Sequence, residues 1–151
     1  MNEKLFSAEI LALGTEKTVE ALRACNAQTA PFGLKLSEEE LMALTAGRTR
    51  ALRDTGRVEF GGGILPALAL AFCDSPYLQA ADYGATLLAL QGLFYHFKNE
   101  FREQMEDDEL LKLLRRAYDE KAHGAVGFLA GMTTAALCGK EEKPKVATDE
   151  S

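Results

Sequence analysis

A chain of 151 residues, 47% hydrophobic and 26% charged, is sized for one domain with its own core, and this excludes a wholly disordered protein. Its 17 Lys and Arg against 23 Asp and Glu leave a formal charge of −6. That charge argues against nucleic acid as a partner, because phosphate neutralisation supplies most of such affinity. The three cysteines, Cys25, Cys73 and Cys138, are far apart and odd in number, so no zinc cluster is expected and a reducing cytoplasm fits.

The first residues carry acids where an export signal needs a basic stretch and an unbroken apolar core, so no export is expected. Leu5 to Leu13 is apolar and compatible with a helix. Thr15 to Cys25 reads as one, with Val19 and Leu22 placed for burial and Lys17, Glu20 and Arg23 for solvent. Asn26 to Gly33 breaks the pattern with Pro31 and Gly33. Ser37 followed by Glu38-Glu39-Glu40 is a capping box, in which the hydroxyl takes an orphan N–H and Glu40 reaches back. Its helix runs to about Thr55, with Gly56 supplying a left-handed exit. On either side, Leu34-Lys35-Leu36 and Val58-Glu59-Phe60 alternate with period two and suggest a small β-ribbon.

After Gly61-Gly62-Gly63, Ile64 to Phe72 reads as an apolar helix with Pro66 in its first turn. Ser75 and Pro76 mark another helix start. The longest helix spans Asp82 to Met105. It places Tyr83, Leu87, Leu90, Phe94, Phe97 and Phe101 on one side, widened by Leu88, Leu93 and Tyr95, which assigns it to the centre of a bundle. Asp107 or Asp108 caps a helix through Leu110, Leu111, Leu114, Ala117 and Tyr118 that Gly124 ends. Ala125 to Cys138, rich in Gly and Ala, closes the fold. The uncharged run from Ala122 to Gly139 is better read as tight packing than as a membrane span, and Gly127-x-x-x-Gly131 as a close-packing motif. The expected fold is mainly α: one domain over 1–139, six or seven helices around a central long one, with a minor two-stranded ribbon. Residues 140–151 have nothing to bury and are expected to form a disordered tail.

Arg48 is the most informative residue. It shares a helical stripe with Leu41, Leu44, Thr45, Ala51 and Leu52, so its guanidinium points to the core and needs a carboxylate. Glu100 is preferred, as it flanks the apolar side of the central helix; Glu59 is the second candidate. Arg50, Arg53 and Arg57 form a basic face that runs toward Gly62, Gly63 and the next helix start, a layout suited to an anion. No Gly-Lys-Ser/Thr follows those glycines, so this is not a P-loop. His96, Glu100 and Glu103 recur at helical intervals beside Asp107 and Asp108. Di-iron bundles use the reverse order in two copies, so a hydrated acidic face is the reading and no metal is assigned. His123 complements a helix end. Cys73, Asp74 and Ser75 have no histidine spaced for a triad, and no catalytic residue or cofactor is assigned.

Three segments resemble a small family of uncharacterised bacterial proteins: Gly56-Arg57-Val58-Glu59-Phe60-Gly61, Phe72-Cys73-Asp74-Ser75-Pro76-Tyr77 and Phe94-Tyr95-His96-Phe97-Lys98-Asn99-Glu100. The resemblance covers about residues 15–135 and brings no activity with it. It implies that Arg57, Glu59, Asp74 and Glu100 belong in one test. The functional expectation is a non-catalytic cytoplasmic protein acting through a protein partner or self-association, with neither nucleic acid nor membrane as partner. The alternative is a binder or enzyme for a small phosphate- or carboxylate-bearing ligand.

Overall fold

The computed structural model describes residues 2–59 and 63–139, with side chains from Glu16 onward. The expected tail over 140–151 lies outside the described residues. Among the described residues there are seven α-helices: α1 (Asn2–Thr29), α2 (Glu38–Thr55), α3 (Leu65–Phe72), α4 (Tyr83–Glu100), α5 (Asp107–Glu120), α6 (Val126–Ala130) and α7 (Thr134–Leu137). The protein is mainly α, and no strand occurs among the described residues.

α4 is the core element. Tyr83, Leu87, Leu90, Phe94 and Phe97 are buried, Leu93 and Tyr95 as well, and α4 touches α2, α3, α5 and α6. α2 begins as its caps dictate: Ser37 accepts from Glu40 N, Glu40 returns a bond to Ser37 N at 2.8 Å, and Gly56 leaves in the left-handed region at φ 74. α2 and α4 run side by side in the same direction. Glu40 lies against Gly84, and Gly47 lies against Leu88 and Gln91. A Cβ on Gly84 would sit 2.6 Å from Glu40 Cδ, so glycine there allows the close approach.

Several local expectations are corrected by tertiary contacts. α1 continues unbroken through Asn26 to Thr29, since nothing before Pro31 interrupts it. The β-ribbon does not form at Leu34–Leu36, because side chains have claimed the backbone there. Asn26 bonds both the N–H and the carbonyl of Leu36, at 2.9 and 3.1 Å, and Thr29 bonds the Leu34 carbonyl at 2.8 Å. Its other half, Val58 and Glu59, is non-helical coil, and Phe60 lies outside the described residues.

Ser75 and Pro76 make a turn and not a helix start. The Ser75 hydroxyl donates to Asp119 on α5 at 2.7 Å and accepts from Tyr77 N at 3.2 Å. α4 stops at Glu100, short of Met105. Arg102 and Glu103 adopt φ 56 and 62, and Glu103 N closes on the Lys98 carbonyl at 2.9 Å. α5 is capped by neither aspartate. Asp107 is its first residue, with its carboxylate engaged elsewhere, and the two acids still suit the positive end of the helix dipole.

The segment expected as one closing helix is two. It breaks at Gly131, and Thr133 restarts it by accepting from Ala136 N at 3.0 Å. A Cβ on Gly127 would meet nothing within 4 Å, so that glycine serves no close packing. Among the described residues no helix is long and apolar enough to cross a membrane.

Candidate functional site

Arg48 points inward from α2, as the stripe of Leu41, Leu44 and Thr45 requires, and all four are buried. Its partner is Glu59. The left-handed turn at Gly56 sends the chain back along α2, so Arg57 and Glu59 return to the helix they left. Arg48 Nε donates to Glu59 Oε1 at 3.0 Å, and Nη1 donates to the Thr18 hydroxyl of α1 at 2.8 Å. The Tyr95 hydroxyl of α4 donates to the same Glu59 oxygen at 2.9 Å, and Arg57 Nε donates to Oε2 at 2.8 Å. One carboxylate, 5% exposed in its side chain, thus accepts from three side chains.

Arg57 extends the network outward. Its Nη1 meets Glu103 at 2.5 Å and Nη2 meets Asp107 at 2.8 Å, with the guanidinium carbon 5.9 Å from the centre of the Phe94 ring. Asp107 also holds Lys98 Nζ at 2.7 Å, and that ammonium donates to the Met105 carbonyl. Three cations (Arg48, Arg57, Lys98) therefore face three carboxylates (Glu59, Glu103, Asp107), and the cluster is neutral. Neutrality is what permits it: a buried charge without a partner costs several kcal/mol.

The electrostatics follow from the packing. Burial works against the Arg57 charge, but the Glu59 hydrogen bond and the fields of Asp107, Glu59 and Glu103 outweigh it and raise the guanidinium above its ordinary value. Burial, followed by the Glu59 carboxylate at its oxygen, drives the Tyr95 phenol far above its ordinary value. Tyr95 is thus held neutral as a donor. Gly63 closes the cluster from above. At φ 65 its backbone passes so near that an added Cβ would overlap Glu59 Oε1 and lie 2.5 Å from Arg48 Nε. The left-handed backbone at Arg102 and Glu103, which a side chain makes unfavourable by about 1–2 kcal/mol per residue, sits where Glu103 reaches Arg57.

Beside the network lies an open polar cavity of about 330 Å³ lined by Arg57, Lys98, Glu103 and Asp107 among others. Both of its cations are already paired with its own carboxylates. A second groove, of about 580 Å³, runs between α3 and α5 past Ala67, Ala71, Leu111 and Arg115. Arg115 is pinned there by Asp74 at 2.6 Å, Asp119 at 2.7 Å and the Ala71 carbonyl at 2.7 Å.

The expected site residues fall apart accordingly. Glu100 is exposed and is not the Arg48 partner. Arg50 and Arg53 are exposed on the outer face of α2, whereas Arg57 turns inward, so the three arginines do not converge. Gly62 lies outside the described residues, and Gly63 covers an ion pair. His96 is exposed and stacks edge-on against Phe97 with centroids 5.0 Å apart. Among the described residues no group of three His, Cys, Asp or Glu side chains could hold a metal. His123 faces Tyr77, its Nδ1 3.2 Å from the phenol oxygen.

Thr18, Tyr95, Lys98, Glu103 and Asp107 were not singled out as one site by sequence reasoning. Lys98 did carry a signal, since it follows Leu87, Gln91 and Phe94 at helical spacing, the same anomaly that marked Arg48.

Fold and site together define a mainly α protein whose helices are clamped by a neutral ion network, buried at Arg48, Glu59 and Lys98 and open to solvent at Glu103 and Asp107. Residues 21–144 match the model of a family of unknown function, DUF6323, and the chain belongs to that family. No curated protein and no solved structure matches it significantly.

Proposed function

We propose that this is a non-catalytic cytoplasmic protein that works through contacts with another protein chain or with itself. The supporting observation is that the network is complete within the chain: Arg48, Arg57 and Lys98 each meet a carboxylate, leaving no cation there to receive an incoming anion. A side-chain network of this kind holds helices in register, and its work is done by the surfaces it keeps in place. The cytoplasmic setting rests on the three cysteines, all of them free thiols.

The test is a thermal-shift series with inorganic phosphate, nucleoside triphosphates and dicarboxylates at millimolar concentration. We expect no shift. A ligand at about 100 times its dissociation constant would stabilise the fold by about 2.7 kcal/mol. A stabilisation of that size, lost in Arg57→Gln, would replace this reading with the small-anion one.

A further inference from the structure

The outer face of α2 is self-complementary. Glu39, Met42, Ala43, Ala46, Arg50 and Arg53 are all exposed, and at 100° per residue they fall within an arc of about 100°. Met42 is 53% exposed, and Leu88 of α4, 37% exposed, flanks the same face through its contact with Gly47. The centre of this stripe is small and apolar, its N-terminal end is acidic at Glu39, and its C-terminal end is basic at Arg50 and Arg53. None of these three charges has an ion-pair partner among the described residues, while Arg23, Arg48, Arg57 and Arg115 are all paired.

Ala46 lies midway between Glu39 and Arg53 in the sequence, and midway between Met42 and Arg50. A two-fold axis through Ala46, perpendicular to the helix, therefore sets Glu39 of one copy opposite Arg53 of the other, twice. It also lays the aliphatic stem of Arg50 over Met42, again twice. That is the condition for an isologous contact, in which each residue's partner finds it in return. A further observation points the same way. Gly92, one turn beyond Leu88 in α4, is exposed, and a Cβ there would meet nothing within 4 Å, so no contact among the described residues accounts for a glycine that weakens the helix.

We propose that α2 docks antiparallel on α2 of a second copy of this chain, with Ala46 at the two-fold axis and Glu39–Arg53 pairs at both ends. This rests on the contact reading above and names its partner.

Sedimentation of the full chain over micromolar to hundreds-of-micromolar concentration tests it, with Glu39→Lys and Arg53→Glu as variants. Both positions are exposed, and circular dichroism checks that each variant is folded. The wild type should dimerise. Each single variant places like charges opposite one another twice and should dimerise roughly tenfold or more weakly. Mixing the two variants in equal amounts restores opposite charges at both ends, and the heterodimer should recover wild-type affinity. A monomeric wild type, single variants that dimerise normally, or a mixture that fails to recover would overturn the proposal. With the ligand series flat, such a result leaves the contact reading in place with a different partner; a ligand shift lost in Arg57→Gln would remove that reading itself.

Discussion

At the scale of single residues the network decides what a substitution does. Glu59→Gln leaves Arg48 facing a neutral amide with its side chain 8% exposed, and should cost about 3–5 kcal/mol, measured by urea denaturation. Replacing Arg48 and Glu59 together by apolar residues should recover only part of that loss. Tyr95 would lose the carboxylate it donates to, and Arg57 would lose one of its three acids while keeping Glu103 and Asp107. The coupling between the two sites is therefore the quantity to measure, and a double variant equal to the sum of the singles would mean they do not interact.

Alkaline stability tests the buried phenols. Burial pushes the Tyr83 phenol up to about 12, and Tyr95 lies higher still. Each has a folded value above its unfolded one, so the unfolded state loses its proton first. Stability is therefore fully present below about pH 10 and falls as pH rises beyond it. Tyr95→Phe should flatten this alkaline loss, seen as unfolding free energy against pH, at the expense of one bond to Glu59 at neutral pH. An unchanged alkaline slope would count against Tyr95 as a contributor.

At the scale of elements, α4 is the centre and α2 is the lever. Phe94 is fully buried and contacts the Tyr95 ring edge-on at 5.4 Å, so Phe94→Ala should cost about 3–5 kcal/mol. A loss below about 0.5 kcal/mol would mean the core is centred elsewhere. The turn from α2 into α3 is equally specific. Gly63→Ala must adopt a left-handed backbone, at about 1–2 kcal/mol, and displace the Arg48–Glu59 pair as well. Gly56→Ala has the same backbone problem at φ 74, but its Cβ would meet nothing within 4 Å. Chemical denaturation should therefore show Gly63→Ala as the more damaging of the two, the difference reporting the ion pair.

Across the whole molecule, the network joins α1, α2, the segment after it, α4 and the first turn of α5 through side chains alone. Arg57 is the junction, bonding Glu59, Glu103 and Asp107 at once. Arg57→Gln should therefore loosen the α4–α5 connection before it loosens α1. Hydrogen exchange should accelerate at residues 102–110 while the buried middle of α4 stays protected. Uniform acceleration would instead report global destabilisation.

What was legible beforehand was local. The capping box at Ser37, the exit at Gly56, the apolar girth of α4 and the inward aim of Arg48 each depend on neighbours within a turn or two, where periodicity and hydrogen-bonding options are set by adjacent residues. Tertiary structure chose the partners. Glu100 looked suitable because it is near Phe97 in sequence, yet it stands about 120° around α4 from Phe94 and faces out. Glu59 reached Arg48 only because the chain doubles back after Gly56, a path that no spacing rule specifies. In the same way Asn26 and Thr29 took the hydrogen bonds a β-ribbon would have needed, and the contacts of Glu103 and Lys98 accompany the end of α4 at Glu100. Local sequence determines which elements can form and which way they face. Long-range desolvation and pairing of charge decide which of their polar groups meet, because that free energy exists only once the helices have packed.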